Sequence, residues 1–329
     1  MKPENYTNPQ MSLFNTEEWG GSQMVKGTDV FSADSGQVRQ EWLSGCREER
    51  ALTQDLLSQI ADLKNLETAL RKVVSNCGVA GIDGMSVLEL KEWFNTHYKE
   101  LQSDLMSSTY KVTAVKEKII DKPNGGKRKL GIPTVKDRLV QQAISQVLST
   151  RYEPIFSDYS YGFRPQRNAH QALEKGGEYV AEGRNWVVDI DLAKFFDEVN
   201  HDRLLWQLST RIGDKGLLKL IGRFLRSGIL SGGVTNQQIK GTPQGSPLSP
   251  LLSNIVLDEL DKELERRGHR FVRYADDLII MVRSEQSAKR VMIGITTFIE
   301  NRMRLKVNVA KSQIVRPNQL NFLGHCIFL

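Results

Sequence analysis

The sequence predicts an α+β fold built around an antiparallel sheet. Segments with Leu and Ile at helical spacing are interleaved with Val- and Ile-rich runs, without the strict strand–helix–strand order of a parallel sheet. Two pairs of such runs flank short turns, at residues 123–126 and at Asp276-Asp277, which is the pattern of antiparallel hairpins. At 329 residues, the chain is long enough to bury a core in one large domain or two smaller ones.

Composition excludes several classes of protein. The hydrophobic fraction is 40%, and no run of about 18 apolar residues predicts a membrane-spanning helix. The first residues lack the apolar stretch of a signal peptide. Cys46, Cys77 and Cys326 are scattered without CxxC spacing, which argues against a disulfide framework or a zinc site and fits a reducing compartment such as the cytoplasm.

Charge is distributed unevenly along the chain. The net charge is +6, yet residues 1–65 hold six Lys and Arg against ten Asp and Glu. Residues 111–138 hold nine basic residues against three acidic ones. A solvated face is the ordinary interpretation of such a run, but the Gly and Pro turn signals inside it fit a ligand-facing hairpin equally well.

The first half of the chain divides as follows. Residues 1–55 are polar and aperiodic, and we expect them to be poorly ordered or loosely attached. Residues 52–74 predict one amphipathic helix. Ser86 and Glu89 form a capping-box pattern at the start of the next helix. The basic hairpin follows, and residues 136–156 predict a helix that ends before Pro154.

The second half begins with "NWVVDIDLAKFFDEV", a strand that runs into a turn and a short helix. Residues 204–212 and 216–228 predict two helices, and "GTPQGSPLSPLLSNIVLDELDKELERRG" predicts a Gly/Pro loop that leads into a long helix. "FVRYADDLIIMV" predicts two strands joined by a turn that carries two adjacent carboxylates.

These carboxylates indicate metal chemistry. Asp189 and Asp191 lie two residues apart on one strand and therefore share a face. If that strand neighbours the Asp276-Asp277 hairpin, acids of both elements converge. Such a set suits Mg²⁺, which prefers oxygen ligands, and a pair of ions would suit phosphoryl transfer. The alternative is that Asp276-Asp277 is ordinary turn chemistry, and spacing alone does not choose between Asp189 and Asp191.

The assembled motifs resemble those of bacterial group II intron reverse transcriptases. "DIDLAKFFDEVNH", "GTPQGSPLSPLLSNIVLDELD", "YADD", "LKVNVAKSQIV" and "NFLGH" resemble the successive motifs of the polymerase palm. Ahead of them, "GIDGMSV", "KPNGGKRKLGIPTVKDRLVQQAI" and "YGFRPQRNAHQAL" resemble the fingers motifs in the same order. The resemblance extends from about residue 60 to the end of the chain.

The resemblance implies a right-hand polymerase fold, with an antiparallel palm sheet backed by helices and fingers ahead of it. Residues 56–185 would form an N-terminal helix and the fingers. Residues 186–329 would form the palm, which ends at the junction with a thumb that we expect to be absent. Expected partners are an RNA template, intron RNA, a DNA primer and dNTPs, with no membrane; oligomeric state, including a homodimer, stays open.

Site residues follow from the matching positions. Asp191, Asp276 and Asp277 would be the catalytic carboxylates that hold two Mg²⁺ ions, with Asp189 structural. The nucleotide-binding residues would be Lys122, Arg128, Phe196, Gln244, Gly245 and Lys311. Phe196 would exclude a ribose 2′-hydroxyl, Arg128 would reach the triphosphate, and Lys311 would protonate pyrophosphate. Ordinary core packing is the alternative for Phe196, and a nearby surface charge is the alternative for Lys311.

Tyr161, Arg164 and Arg167 would contact the template, with packing of fingers on palm as the alternative. A local ion pair with Asp137 is the expected role of Arg138. Two other functions are compatible with the motifs. One is a splicing factor that binds RNA without polymerising; the other is a related bacterial reverse transcriptase in phage defence, a retron or a CRISPR-linked system.

Overall fold

Two four-stranded sheets organise the computed structural model, which describes residues 55–121, 127–231, 234–236, 239–243 and 245–327, without the side chain of Arg128. The α-helices are α1 (Leu56–Ala61), α2 (Leu63–Ser75), α3 (Val87–Met106), α4 (Val135–Tyr152), α5 (Ala169–Ala181), α6 (Phe195–Glu198), α7 (His201–Ser209), α8 (Lys215–Leu225), α9 (Ser249–Arg266) and α10 (Glu285–Thr297). The strands are β1 (Val115–Asp121), β2 (Lys127–Ile132), β3 (Trp186–Ile190), β4 (Ile229–Ser231), β5 (Val234–Asn236), β6 (Arg270–Tyr274), β7 (Asp277–Val282) and β8 (Gln313–Val315).

The second sheet has the order β6-β7-β3-β8, and all its neighbours are antiparallel. It is buried on both faces because alternate residues of its central strands enter different cores. On β7, Ile280 packs in the larger core with helices of both halves of the chain, whereas Ile279 and Met281 pack in a smaller core with α5. This burial explains why the strands read as continuous apolar runs. The α+β class and the antiparallel sheet backed by helices are confirmed.

The first sheet, of order β2-β1-β4-β5, carries the basic hairpin. β1 pairs antiparallel with β2 and parallel with β4. Strands β4 and β5 were not predicted from the sequence, because each has three residues and neither has an apolar alternation that could be recognised. Their pairing fixes the base of the hairpin to the segment that precedes the Gly/Pro loop.

Local signals explain most helix boundaries. The capping box is confirmed, with the Ser86 amide donating to Glu89 Oε2 at 2.7 Å and the Glu89 amide donating to Ser86 Oγ at 3.3 Å. Helix α4 ends at Tyr152, before Pro154. The single helix expected over residues 52–74 is wrong, because Asp62 breaks it: its carboxylate accepts the Lys64 and Asn65 amides and starts α2 as a new helix.

The described residues belong to a compact unit that spans residues 46–329. Within them, no helix has both the length and the apolar character needed to cross a bilayer. The expectation for residues 1–55 falls almost wholly on residues 1–54, which lie outside the described ranges.

Candidate functional site

Strand register places the two acid-bearing elements side by side. β3 pairs with β7 so that Ile190 faces Leu278, and the next step of this register sets Asp191 opposite Asp277. Asp189, Asp191 and Asp277 share one face of the sheet by the alternation of side chains along each strand. The sheet therefore brings together carboxylates that are more than eighty residues apart in the chain.

A second segment fixes Asp191. The Asn308 amide donates to the Asp191 carbonyl at 2.8 Å, and the Asp191 amide donates to Ser312 Oγ at 3.0 Å. These bonds bring Lys311 to the site, with its Nζ 3.7 Å from Asp191 Oδ2. Lys311 is largely exposed, at 66% of its side chain, so solvent reaches the ammonium group while it faces the carboxylates.

The turn between β6 and β7 is held in a sparsely populated conformation. Ala275 has φ +56° although it is not glycine. The buried Arg273 guanidinium donates to the Ala275 carbonyl at 2.8 Å and pairs with Asp261 at 2.7 Å. Gly162 presses against this turn, where a Cβ would lie 2.2 Å from the Ala275 nitrogen. These contacts determine where Asp276 and Asp277 project.

Asn254 joins Arg273 to Gly162 through its side-chain amide. Its Oδ1 accepts from Arg273 Nη1 at 3.0 Å, and its Nδ2 donates to the Gly162 carbonyl at 2.9 Å. Asn254 and Asp261 both lie on α9, so this helix carries the polar groups that hold the turn. Arg273 and Asp261 are almost fully buried, with 1% and 0% of their side chains exposed. The network has its charged groups paired, as buried polar groups require.

The carboxylates repel one another. Burial, followed by the negative charges of Asp276, Asp191 and Asp189, raises the pKa of Asp277 to about 6, against the opposing effect of Lys311. Burial also raises the pKa of Asp189, opposed by a hydrogen bond of 3.1 Å from Gln313 Nε2. The site thus holds negative charge that one lysine does not balance, which favours a bound cation.

The donor set fits Mg²⁺. In the ranges that the structure describes, no three His, Cys, Asp or Glu side chains converge as a ready-made metal site. Mg²⁺ does not need such a cluster, because it is commonly held by one or two carboxylates together with substrate phosphates and water. Asp191 and Asp277, neighbours across the sheet, offer such a pair of carboxylates.

The Gly/Pro loop lies against Phe196. The Thr242 amide donates to the Phe196 carbonyl at 2.7 Å, and His201 Nε2 lies 2.6 Å from the Gly241 carbonyl. Gly245 has φ +109°, and a Cβ there would meet the Gly131 carbonyl of β2 at 3.1 Å. The loop therefore joins the short helix α6 to the base of the basic hairpin.

Phe195 and Phe196 take different positions. Both side chains belong to the main hydrophobic core; Phe195 is 2% exposed, whereas Phe196 is 9% exposed and also lines a cavity together with Gly245. Their rings meet edge to face, with centroids 5.3 Å apart. Phe196 thus packs in the core and borders the cavity at the same time, and its nucleotide-binding assignment stays a prediction.

The three residues predicted to contact the template differ in burial and in their bonding partners. Arg164 is buried, pairs with Glu153 at 2.8 Å and donates to the Ser157 and Ser160 carbonyls, so the packing alternative accounts for it. Tyr161 is also buried, and its amide donates to the Arg273 carbonyl at 2.8 Å. Arg167 lies over the Tyr161 ring at 5.4 Å and pairs with Asp158 at 2.9 Å.

Some predicted residues lie outside the described part. These are Lys122 and Gln244, together with the side chain of Arg128, whose backbone belongs to β2. The turn of the basic hairpin, residues 123–126, is outside it as well. Their assignments stay predictions.

Two residues that line the cavity, Arg138 and Phe163, were not predicted from the sequence as site residues. Arg138 does not pair with Asp137, whose carboxylate instead accepts from Tyr110 Oη at 2.9 Å and Thr134 Oγ1 at 2.9 Å. Phe163 is 51% exposed and lines the same cavity as Arg138. A large exposed aromatic residue inside "YGFRP" was the available signal for Phe163, but only the tertiary structure shows that it borders a cavity.

Comparison with known proteins adds independent findings. Residues 120–327 match the family described as reverse transcriptase (RNA-dependent DNA polymerase). Protein YkfC of Escherichia coli K12 is 29% identical over 314 residues, which cover 83% of this chain and 82% of YkfC. The group II intron-encoded protein LtrA of Lactococcus lactis is 32% identical over 295 residues, which cover 70% of this chain and 49% of LtrA.

The chain thus spans about half the length of LtrA. Among solved structures, telomerase from Candida tropicalis, in complex with a TWJ fragment of telomeric RNA, has a TM-score of 0.53 at 15% identity. The match covers 70% of this chain and 47% of the telomerase chain. At this identity the similarity concerns the fold alone.

Proposed function

The chain belongs to the reverse transcriptase (RNA-dependent DNA polymerase) family, and on that premise we propose that it is the RNA-directed DNA polymerase of a mobile group II intron. It extends a DNA primer with dNTPs on an RNA template and also binds the intron RNA as a maturase. The similarity to LtrA, an intron-encoded protein, supports the intron assignment.

The observation that carries the proposal is the alignment of Asp191 with Asp277 at one edge of the palm sheet, beside Asp276. Reverse transcriptases use divalent metals, and we assign two Mg²⁺ ions to these three carboxylates. When bound, the ions would activate the primer hydroxyl and stabilise the leaving pyrophosphate. The raised pKa of Asp277 supports the assignment, since a cation would relieve the repulsion that contributes to it.

Other residues bind and orient the nucleotide. Phe196, at the wall of the cavity, excludes a 2′-hydroxyl, and Gly245 brings loop backbone close to the ligand. We assign proton donation to pyrophosphate to Lys311, and its contact with Asp191 supports this role. Lys122, Arg128 and Gln244 complete the nucleotide site in this proposal, through the resemblance of their motifs.

Asp276→Ala separates the two activities. We expect wild-type protein to extend a DNA primer on an RNA template with Mg²⁺ and to assist splicing of its intron RNA. The variant should lose extension by a factor of at least about 100, because a carboxylate at the metal site is lost, and should keep splicing assistance. A variant that extends primers like wild type would refute the polymerase assignment, and a protein that assists splicing without any extension would be a splicing factor alone.

A further inference from the structure

The Gly/Pro loop that leads into α9 is held at both ends by buried side chains from other elements. At its first end, His201 Nε2 lies 2.6 Å from the Gly241 carbonyl. At its second end, Ser246 Oγ donates to Gln141 Oε1 at 2.7 Å. His201 and Gln141 are both 3% exposed. Between these two bonds the chain has four residues, 242–245, and they include the Gln-Gly pair assigned to the nucleotide.

The first end of the loop packs directly against the segment that carries Phe196. The Gly241 amide donates to the Val199 carbonyl and the Thr242 amide donates to the Phe196 carbonyl, both at 2.7 Å. Gly241 has φ +91°, and a Cβ on it would lie 2.9 Å from the Phe196 carbonyl oxygen, so no side chain fits there. The His201 bond uses the carbonyl of Gly241, so both polar backbone groups of this glycine are bonded. The loop and Phe196 therefore keep a fixed position relative to each other.

His201 contributes one directed donor to this contact. Burial lowers the pKa of His201, against the opposing effect of its bond to Gly241, so the ring is neutral at pH 7. A neutral imidazole has one N–H, and a carbonyl can only accept, so Nε2 carries the proton. Nδ1 is then a buried acceptor without a hydrogen-bond partner among the described residues. Packing alone would favour an apolar residue here, because an unpaired buried atom is costly; the bond to Gly241 is what the imidazole adds.

The second end of the loop is tied to two other elements. Gln141 lies on α4, so its bond with Ser246 joins the loop to a helix that precedes the palm in the chain. Ser249 lies at the start of α9, and its Oγ donates to the Pro243 carbonyl at 2.8 Å. Ser246 and Ser249 are 6% and 3% exposed. Buried groups that lose a hydrogen bond cannot replace it with water, so these bonds fix the loop more strictly than exposed ones would.

We propose that His201 and Gln141 are positioning residues for nucleotide selection: by holding the two ends of the Gly/Pro loop, they fix its backbone relative to Phe196. The inference rests on the proposed function, which assigns Phe196, Gln244 and Gly245 to the nucleotide. Both positioning residues act through the loop and not by contact, because both are buried. Functional sites must be held to within about 0.5 Å. Release of one end should therefore weaken dNTP binding and admit a ribose 2′-hydroxyl, while the carboxylates, which β3 and β7 hold, stay in place.

Single-nucleotide incorporation tests the first end by comparing His201→Leu with Gln207→Leu. Gln207 lies on the same helix, and its Nε2 donates to the Ile255 carbonyl at 2.8 Å, so this control loses the same kind of bond at a distance from the loop. His201→Leu should raise the dNTP KM about tenfold and lower the ratio of dNTP to rNTP kcat/KM about fivefold, with kcat within about twofold of wild type. Gln207→Leu should keep the wild-type KM and ratio. His201→Gln, which keeps an N–H donor on a side chain of similar reach, should recover most of the loss.

Gln141→Leu tests the second end. It removes the acceptor of the Ser246 hydroxyl and should raise the dNTP KM about tenfold, as His201→Leu does. Ser246→Ala should have the same effect, and the double variant should be no worse than either single one, because the two side chains form one bond. Added losses in the double variant would overturn the role of Gln141.

Hydrogen exchange, followed by mass spectrometry on peptides that cover residues 241–248, tests the positioning without catalysis. Exchange there should be faster in His201→Leu and Gln141→Leu than in wild type, because one end of the loop is released. In Gln207→Leu it should match wild type. Urea unfolding verifies that the variants fold, and Ser246→Ala, a small change, keeps the test available if a Leu variant does not.

A wild-type dNTP KM in His201→Leu or Gln141→Leu would overturn the role of that residue, and equal effects of His201→Leu and Gln207→Leu would do the same for His201. Unchanged exchange in the loop would overturn the proposal as a whole. A wild-type protein that incorporates no dNTP would refute the proposed function, while the exchange comparison would still decide whether the two residues hold the loop.

Discussion

The palm hairpin β6–β7 and the basic hairpin β1–β2 are both antiparallel pairs that present charge, but they are stabilised differently. In the palm hairpin, the turn is fixed by buried Arg273, Asp261 and Asn254. In the basic hairpin, Val115 is buried, whereas Ile119 and Ile120 are 51% and 41% exposed. Six backbone partner pairs hold its strands. Lys129 is 72% exposed, although its partner Glu117 is only 9% exposed.

The difference fits the roles that we propose for the carboxylates of the palm hairpin and for the cations of the basic hairpin. Carboxylates that must meet another strand's acid need a fixed turn, and burial provides it at the expense of raised pKa values. Cations that neutralise a triphosphate act over a longer range and tolerate an exposed position. Substitutions should therefore affect stability in the palm hairpin and ligand affinity in the basic hairpin.

Arg273→Met should have the largest effect on stability. It leaves the Asp261 carboxylate buried without its partner, and breaking such a pair costs about 3–5 kcal/mol. The matched change is Lys129→Met in the basic hairpin, which removes an ion pair of 2.7 Å whose lysine is 72% exposed. Urea unfolding should show a clearly lower midpoint for Arg273→Met and an almost unchanged one for Lys129→Met. Equal midpoints would contradict the contrast between the hairpins.

Two carboxyl groups should change stability with pH in opposite directions: Asp258 in α9, the helix that holds the palm turn, and Glu117 in the basic hairpin. Burial, together with Asp261, raises the pKa of Asp258 in α9 to about 6 from 3.8. The folded state holds this proton more tightly, so the free energy of unfolding falls as pH rises from about 4 to about 6, by about 2 kcal/mol. Asp258→Asn should remove this fall, as urea unfolding at pH 4.5 and 7 would show.

The pKa of Glu117 in β1 is shifted in the opposite direction, below its usual value. Hydrogen bonds from Lys129 and Ser231 lower its pKa, so its stabilisation is present above the unfolded pKa and is lost as the pH falls through the folded value. Glu117→Gln should therefore reduce the difference in stability between pH 7 and pH 3. A larger difference in this variant would show that the sign is wrong.

Phe196→Val tests the proposed role of the Phe196 ring at the wall of the cavity. Loss of the ring should admit a ribose 2′-hydroxyl and reduce discrimination against rNTPs by about tenfold, a size typical of changes in apolar pocket contacts. Single-nucleotide incorporation of dNTP and rNTP gives the ratio of kcat/KM values. An unchanged ratio of kcat/KM values would mean that Phe196 has only a packing role in the core.

Arg128→Ala should give the smallest of these changes. The dNTP KM should rise by about fivefold, because one charge-assisted contact to the triphosphate is lost, while the urea midpoint stays at the wild-type value. Arg128→Lys, which keeps the charge, should recover part of the loss in steady-state assays. An unaltered KM in Arg128→Ala would leave this residue without a role in nucleotide binding.

Sequence patterns predicted most helices and strands, and also that the strand bearing Asp189 and Asp191 lies near the Asp276-Asp277 hairpin. The Ser86 cap and the shared face of Asp189 and Asp191 depend on neighbours in the chain, so spacing was sufficient. The hairpin turn was predicted one residue too late: it consists of Ala275 and Asp276, and Asp277 begins β7. The resemblance, rather than periodicity, selected Asp191 over Asp189, and the register sets Asp191 opposite Asp277.

Features that depend on distant contacts could not be predicted. Arg273 lies in an apolar strand, and only α9 supplies the Asp261 that neutralises it. The sequence predicted Arg164 as a template-phosphate ligand, but in the structure its guanidinium donates to Glu153 and to two backbone carbonyl groups. Asp62 ended a helix that an uninterrupted apolar period had predicted, because its carboxylate caps the next one.

The most direct test of the shared carboxylate site compares Asp191→Asn with Asp189→Asn. Asp189 lies on β3 and Asp191 directly follows this strand on the same face, but only Asp191 is level with Asp277, while Asp189 accepts from Gln313. In single-turnover dNTP incorporation with Mg²⁺, Asp191→Asn should lower the rate by at least about 100-fold, and Asp189→Asn should stay within a few-fold of wild type. Equal rates for the two variants, or a larger loss for Asp189→Asn, would contradict the account.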